Sequence, residues 1–220
     1  MNKINGFNPV WTRRFSSVIF RDGGFPPAML TSNEKWVGLL QPRAEHFRHP
    51  SEMHGPKHTA RVMVLAWLLA GKYLPLIAHE MVAAAFLHDL ARTHDGVCPE
   101  HGRQAVREFL PLWRKTFALA GVQDLLMVRY LVANHCLRQH RRPFPLRLFR
   151  NADMIDRVTV RPLNPQKMHD CSPELVRTAT RLVEADTADL RLLLEIAFQP
   201  DRTEYLVWEK TLVPPKPPGM

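Results

Sequence analysis

The feature that most constrains this chain is a relay of metal-capable side chains along its middle: His54 and His58, the adjacent pair His88-Asp89, then His101, His135 and Asp153. Donors so far apart in sequence meet only if the intervening segments fold back on one another. His54 and His58 are four apart and share one face of a helix. His88 and Asp89 offer a nitrogen and a carboxylate oxygen from a single turn. Asp153 lies in the run Asn151-Ala152-Asp153-Met154-Ile155-Asp156-Arg157, which reads as a helix. Ligands delivered from four or five helices converge only in a folded bundle.

The rest of the pattern is helical too. Val62, Leu65, Leu68 and Leu69 give the stretch from Pro56 to Lys72 an apolar face, and Pro56 suits a first turn. The stretch 77–92 is apolar nearly all round, from Met81 to Leu87, so a central, buried helix is expected with the His-Asp pair at its C-terminal end. A loop over Thr93–Pro99 follows. Helices are expected over 100–120 with a break near Pro111, over 122–138, and over 146–160 after a loop at Arg141–Pro145. Ser172-Pro173-Glu174 is a capping signal opening a long helix to about Phe198. There are no internal repeats and almost no strand signal, so the class is all-α. Residues 1–50, with scattered prolines and aromatics, read as an irregular N-terminal extension. It carries one short helix near Asn33–Leu40, and Trp11, Phe15, Phe20 and Phe25 are expected to dock on the main domain. Residues 51–200 form the helical domain, and residues 201–220, ending in a proline-rich run, form a tail.

At 220 residues the chain is long enough to bury a core without staples. Cys98, Cys136 and Cys171 make neither a disulfide framework nor a Cys-x-x-Cys pair. With no signal peptide or membrane span in view, a cytoplasmic protein with no membrane partner is expected. The net charge is +9, and it is uneven: eight arginines but only Asp153 and Asp156 lie between Arg129 and Arg161. Such a surface attracts anions, whether a nucleotide or a polynucleotide; a solvated arginine face that aids solubility is the plain alternative.

The ordered set His58-Thr59-Ala60-Arg61-Val62, His88-Asp89 and Asp153 resembles the HD-domain metal-dependent phosphohydrolases over roughly positions 50–160. His54-Gly55-Pro56-Lys57-His58 is similar to the His-Gly-x-x-His opening of some bacterial members. Asp95-Gly96-Val97-Cys98-Pro99-Glu100-His101-Gly102 is similar to the loop that follows the His-Asp pair in the same group. The resemblance implies an HD-type helical bundle whose metal ligands are His58, His88, Asp89 and Asp153. Two imidazoles and two carboxylates suit Mn, Fe, Co or Ni, with Mg and Zn as further candidates. Burying two carboxylates without a cation would be costly, which favours ligation over hydrogen-bonded core residues.

Two roles are open for His101 and His135: holding a second ion with Asp89 as the bridge, or contacting and protonating the substrate phosphate. The Asn134-His135 pair stands where HD-GYP members carry two histidines. Arg92 is a candidate for neutralising phosphate charge, with Lys57, Arg61, Arg150 and Arg157 as neighbours, although Arg61 can equally brace an acidic ligand. Asp95 is expected to hold His101 or the turn at Gly96. His54 either orients His58 or Asp153 or faces solvent. The Gly-Tyr-Pro signature of cyclic-di-GMP phosphodiesterases is absent, and the acidic pair of alarmone hydrolases is replaced in His88-Asp89-Leu90-Ala91-Arg92-Thr93. The expected activity is hydrolysis of a nucleotide or other small phosphate ester. A nuclease acting on nucleic acid and a non-catalytic regulatory domain are the alternatives. The arginines are expected to form a local pocket, with Arg141, Arg142 and Arg147 facing solvent.

Overall fold

Residues 34–137, 142–160 and 162–199 are described by the computed structural model, and every regular element among them is helical. The expected docking of Trp11, Phe15, Phe20 and Phe25 and the proline-rich tail lie outside the described residues. The α-helices are α1 (Lys35–Leu39), α2 (Pro56–Tyr73), α3 (Ala78–Leu87), α4 (His101–Glu108), α5 (Leu110–Leu119), α6 (Leu125–Asn134), α7 (Phe144–Ile155), α8 (Pro173–Glu184) and α9 (Leu190–Phe198). The all-α class is therefore observed. No helix among the described residues is long and apolar enough to cross a membrane, and the three cysteines are unpaired.

The antiparallel pair α2 and α3 forms the centre. Thirteen of the eighteen residues of α2 are buried, as are nine of the ten in α3. A helix without a polar face has to be surrounded. Here α6 and α7 cover the pair on the side of the His-Asp turn, α4 packs on α6, and α9 closes over α2. Phe86 anchors an aromatic cluster with Trp113 and Phe117 at ring separations of 4.4 and 6.1 Å, which docks α5. Glu80 is the one charged residue buried in α3. Its carboxylate accepts the backbone N–H groups of Gln123 and Asp124 at 2.9 and 3.0 Å, and Asp124 in turn caps α6. That chain of bonds sets where α6 begins, and so where its far end, His135, arrives.

Several boundaries differ from expectation: the helix expected over 122–138 runs Leu125–Asn134, and the one expected over 146–160 runs Phe144–Ile155. The α-helix of the stretch 77–92 stops at Leu87, and His88 to Ala91 form a turn. The break expected near Pro111 falls at Phe109: Pro111 has no N–H to bond back to Arg107 and its ring crowds the preceding turn, so it sits in the first turn of a new helix, α5. The single long helix expected over 172–198 is two. Asp186 takes a left-handed φ of 45°, ending α8, and Asp189 then caps α9 by accepting from Arg191 and Leu192. The Asp186-Thr187-Ala188-Asp189 run carries that stop-and-start signal in its acidic residues.

Candidate metal centre

Two helix ends and a turn place the first donors. His88 and His135 are the C-terminal caps of α3 and α6, where the last carbonyls lack intrahelical partners. Each ring uses one of these: His88 Nδ1 donates to Ala85 O at 2.7 Å, and His135 Nδ1 donates to Val132 O at 2.7 Å. His101, opening α4, donates from Nδ1 to Cys98 O. His58, in the first turn of α2, donates from Nδ1 to Asp156 Oδ2 at 2.7 Å. A carbonyl only accepts, so the three rings facing carbonyls must carry their proton on Nδ1. Their Nε2 atoms are left as lone pairs unless doubly protonated, and all four Nε2 atoms turn inward.

Those of His58, His88 and His101 converge on Asp89 and Asp153, and that of His135 meets His101. His58 Nε2 lies 3.3 Å from His88 Nε2, 3.6 Å from Asp89 Oδ2 and 3.5 Å from Asp153 Oδ1. His88 Nε2 lies 3.3 Å from Asp89 Oδ2. On the other oxygen of the same carboxylate, His101 Nε2 stands 3.0 Å from Asp89 Oδ1 and 2.9 Å from His135 Nε2. Lone pairs facing one another at such distances repel unless a proton or a metal cation lies between them. With bonds of about 2.1 Å, neighbouring donors stand about 3.0 Å apart in an octahedral shell and about 3.4 Å apart in a tetrahedral one. The observed separations, 2.9 to 3.6 Å, scatter about those two values, so the residues present fit a divalent ion. The two oxygens of Asp89 face two donor groups, which is the arrangement a bridging carboxylate needs.

Burial seals most of this cluster. His58 and His88 are each 1% exposed and Asp89 2%, whereas the Asp153 side chain is 17% exposed and marks the open side. Burial opposes charge on His58, but the carboxylates of Asp153 and Asp156 outweigh it and raise its pKa to about 9. His135 has no such partner; burial, then the neighbouring His88 and His101, push it down to about 3. Asp89 is held well below the usual carboxylate range despite burial, by the imidazoles around it. Asp153 is likewise lowered against its burial, by Arg157 and His58.

The remaining expected residues divide. His54 is buried, 4% exposed, so it does not face solvent; its Nδ1 donates to Asp89 Oδ2 at 2.9 Å, its ring meets that of His58 edge-on at 5.6 Å, and with His58 and Asp89 it makes a group of donor atoms lying within 4.8 Å of one another. Arg61 braces an acid as one reading held: its Nε and Nη2 grip Asp156 at 2.6 and 3.0 Å. Arg157 donates to Asp153 Oδ1 at 3.0 Å. Arg92 reaches Asp89 Oδ1 at 3.4 Å and Gly96 O at 2.7 Å, so its guanidinium ties the loop to the centre. Asp95 does not hold His101. It accepts from Ser51 Oγ, while Cys98 O does the holding. Lys57 pairs with exposed Asp186, on the surface.

Sequence reasoning passed over two residues. Asp156 is the carboxylate behind His58, and its spacing of three from Asp153 on one helix was the available signal. Cys136 follows His135 and, with His101, makes a third group of donor atoms lying within 4.8 Å of one another. Its thiol, raised in pKa by burial, donates to Pro99 O at 3.0 Å. Gly102 matters by having no side chain. A Cβ there would run into Val132 O and stand 3.0 Å from the His135 ring, so glycine is what lets α4 approach α6 closely enough for His101 to meet His135. No family model, curated protein or solved structure matches the chain.

Proposed function

We propose that the protein is a metal-dependent phosphohydrolase of the HD-domain type, acting on a nucleotide or another small phosphorylated molecule. One observation carries the reading: three imidazoles fixed through Nδ1, those of His58, His88 and His101, bring Nε2 to the carboxylates of Asp89 and Asp153, and His135 meets His101 beside them, in a nearly sealed cluster. His58, His88, Asp89 and Asp153 would hold one divalent ion, and Asp89, His101 and His135 would hold a second. Such an ion would supply Lewis acidity and would lower the pKa of a water toward neutrality.

The chain's own residues set the stage for that attack. Asp156 and Arg61 keep the His58 ring from turning. Asp89, shared by both donor groups, fixes their spacing. Arg92 holds the 93–98 loop against the centre, which positions the Cys98 carbonyl and through it His101. Arg157 offsets the charge of Asp153 at the open side, where an anionic substrate has to approach. Where a second ion is absent, His101 is the ring left to donate a proton to the leaving oxygen, because His135, its pKa pushed down to about 3, is neutral and its one proton is held by Val132 O.

The deciding experiment is metal analysis of the purified chain, joined to a turnover screen with Mn against mononucleotides, cyclic dinucleotides and single-stranded DNA. Phosphate release that disappears in Asp89→Ala, with the fold retained, is expected. Full activity of Asp89→Ala in added metal would end this reading. Metal-dependent DNA cleavage that dies in Asp153→Ala, with no action on mononucleotides, would replace it with a nuclease.

A further inference from the structure

The arginines near the centre form two groups. Arg92 and Arg157 each contact a carboxylate of the cluster. Arg142 and Arg150 form no ion pair with any described residue. Arg150 Nη1 donates to His135 O and, at 3.4 Å, to Leu137 O; Arg142 Nη2 donates to the same Leu137 O at 3.3 Å. Two guanidiniums therefore gather on one carbonyl just past the end of α6. Arg142 Nε is also buried without an acceptor. Contrary to the solvent-facing expectation, Arg142 is half-buried, whereas Arg147 is exposed and lies over the Phe144 ring.

Capping alone does not account for the pair. A helix C-terminus presents about half a negative charge, enough to favour one cation. Two half-buried guanidiniums with ten N–H donors between them exceed that by far. Burial and the nearby Arg142 both lower the pKa of Arg150, while Asp153 and Cys136 are close enough to raise it. Arg150 thus stands between its like-charged neighbour and the metal cluster. It also lies three residues before Asp153 on α7, on the same face as the cluster's most open member.

We propose that Arg142 and Arg150 form an anion subsite beside the metal centre that takes a second phosphate group of the substrate. The proposal rests on the phosphohydrolase reading for the identity of the first phosphate. Planar guanidinium forks match phosphate oxygens in pairs, and the charge of the pair, which no carboxylate among the described residues meets, is what a second phosphate would neutralise. A phosphate monoester would leave that charge unmet. The second phosphate can be joined by an anhydride, as in a nucleoside diphosphate, or by a diester, as in an oligonucleotide.

The test is binding, measured by calorimetry on the full chain at a constant free Mn concentration with bound metal monitored. Inorganic pyrophosphate is expected to bind at least about tenfold tighter than orthophosphate, and Arg142→Met or Arg150→Met to erase that preference while metal content stays at the wild-type level. Should Arg150→Met fail to fold, Arg150→Lys, which keeps the charge and loses the fork, is the substitute. Equal affinity for the two anions in the wild type, or a preference that survives in both variants, overturns the subsite. Displacement of pyrophosphate by a nucleoside diphosphate or by a 5′-phosphorylated dinucleotide upholds it and identifies the linkage; displacement by neither overturns it. Arginine-dependent pyrophosphate binding with no turnover of any phosphate ester would sink the hydrolase reading and leave the subsite standing. Monoester turnover without a pyrophosphate preference would do the reverse.

Discussion

Asp156 shows how much of the centre depends on a residue that would not itself touch a metal. It accepts from His58 Nδ1 and is gripped by two nitrogens of Arg61. Asp156→Ala leaves a buried imidazole N–H without an acceptor and Arg61 without its partner. Metal affinity should fall about 10- to 100-fold, and stability by about 3–5 kcal/mol, read by Mn titration and urea unfolding. Asp156→Asn keeps an acceptor oxygen and should fall between the two. The proton on His58 gives a second expectation. In the metal-free protein its raised pKa means that its contribution to stability is present below 6.5 and is lost as the pH rises through about 9. A metal would take the place of the Nε2 proton, so Mn uptake between those pH values should release about one proton, which calorimetry in buffers of differing ionisation enthalpy reads. His135 acts with the opposite sign. Its pKa is depressed to about 3, so the chelated protein should lose stability as the pH falls below 6.5.

At the scale of elements, the centre depends on how closely helices can approach. Gly102 faces the Val132 carbonyl and the His135 ring, whereas a Cβ on Gly71, inside α2, would meet nothing within 4 Å. Gly102→Ala should therefore cost about 1–3 kcal/mol and separate His101 from His135. Gly71→Ala should stabilise the chain by about 0.5–1 kcal/mol. Thermal unfolding of the pair checks both, and equal shifts in the same direction would show that the α4–α6 contact is not the cause. The existence of these helices was legible from apolar spacing, and the pairing of Pro56 with the start of α2 was legible from proline chemistry. The ends were less so. The split between α8 and α9 turns on a single left-handed Asp186, and the start of α6 depends on Glu80, more than forty residues away in sequence. A periodic pattern reports which face is apolar; it does not report which distant carboxylate receives a helix's free N–H groups.

For the whole molecule, metal and stability should be linked. An ion that binds only the folded arrangement at 100 times its Kd adds about 2.7 kcal/mol. For a domain of this size that shifts Tm by about 5–10 °C. Mn should raise Tm by that much, a chelator should reverse it, and His88→Ala or Asp153→Ala should abolish the response. An unchanged wild-type Tm at saturating metal would show that the cluster does not bind it. The sequence alone determined the kind of molecule: apolar stretches at helical spacing with little strand signal leave an all-α bundle as the way to bury them, and the order of histidines and aspartates named the side chains that meet. Only the tertiary structure decided how they meet. It turned each imidazole by giving its Nδ1 to a particular carbonyl or to Asp156, it split the two oxygens of Asp89 between two donor groups, and it left Arg142 and Arg150 without a carboxylate among the described residues. The reason is physical: a residue's type states which bonds it can make, but whether a partner stands within hydrogen-bonding distance is settled by segments 30 to 100 residues away folding onto the same few ångströms.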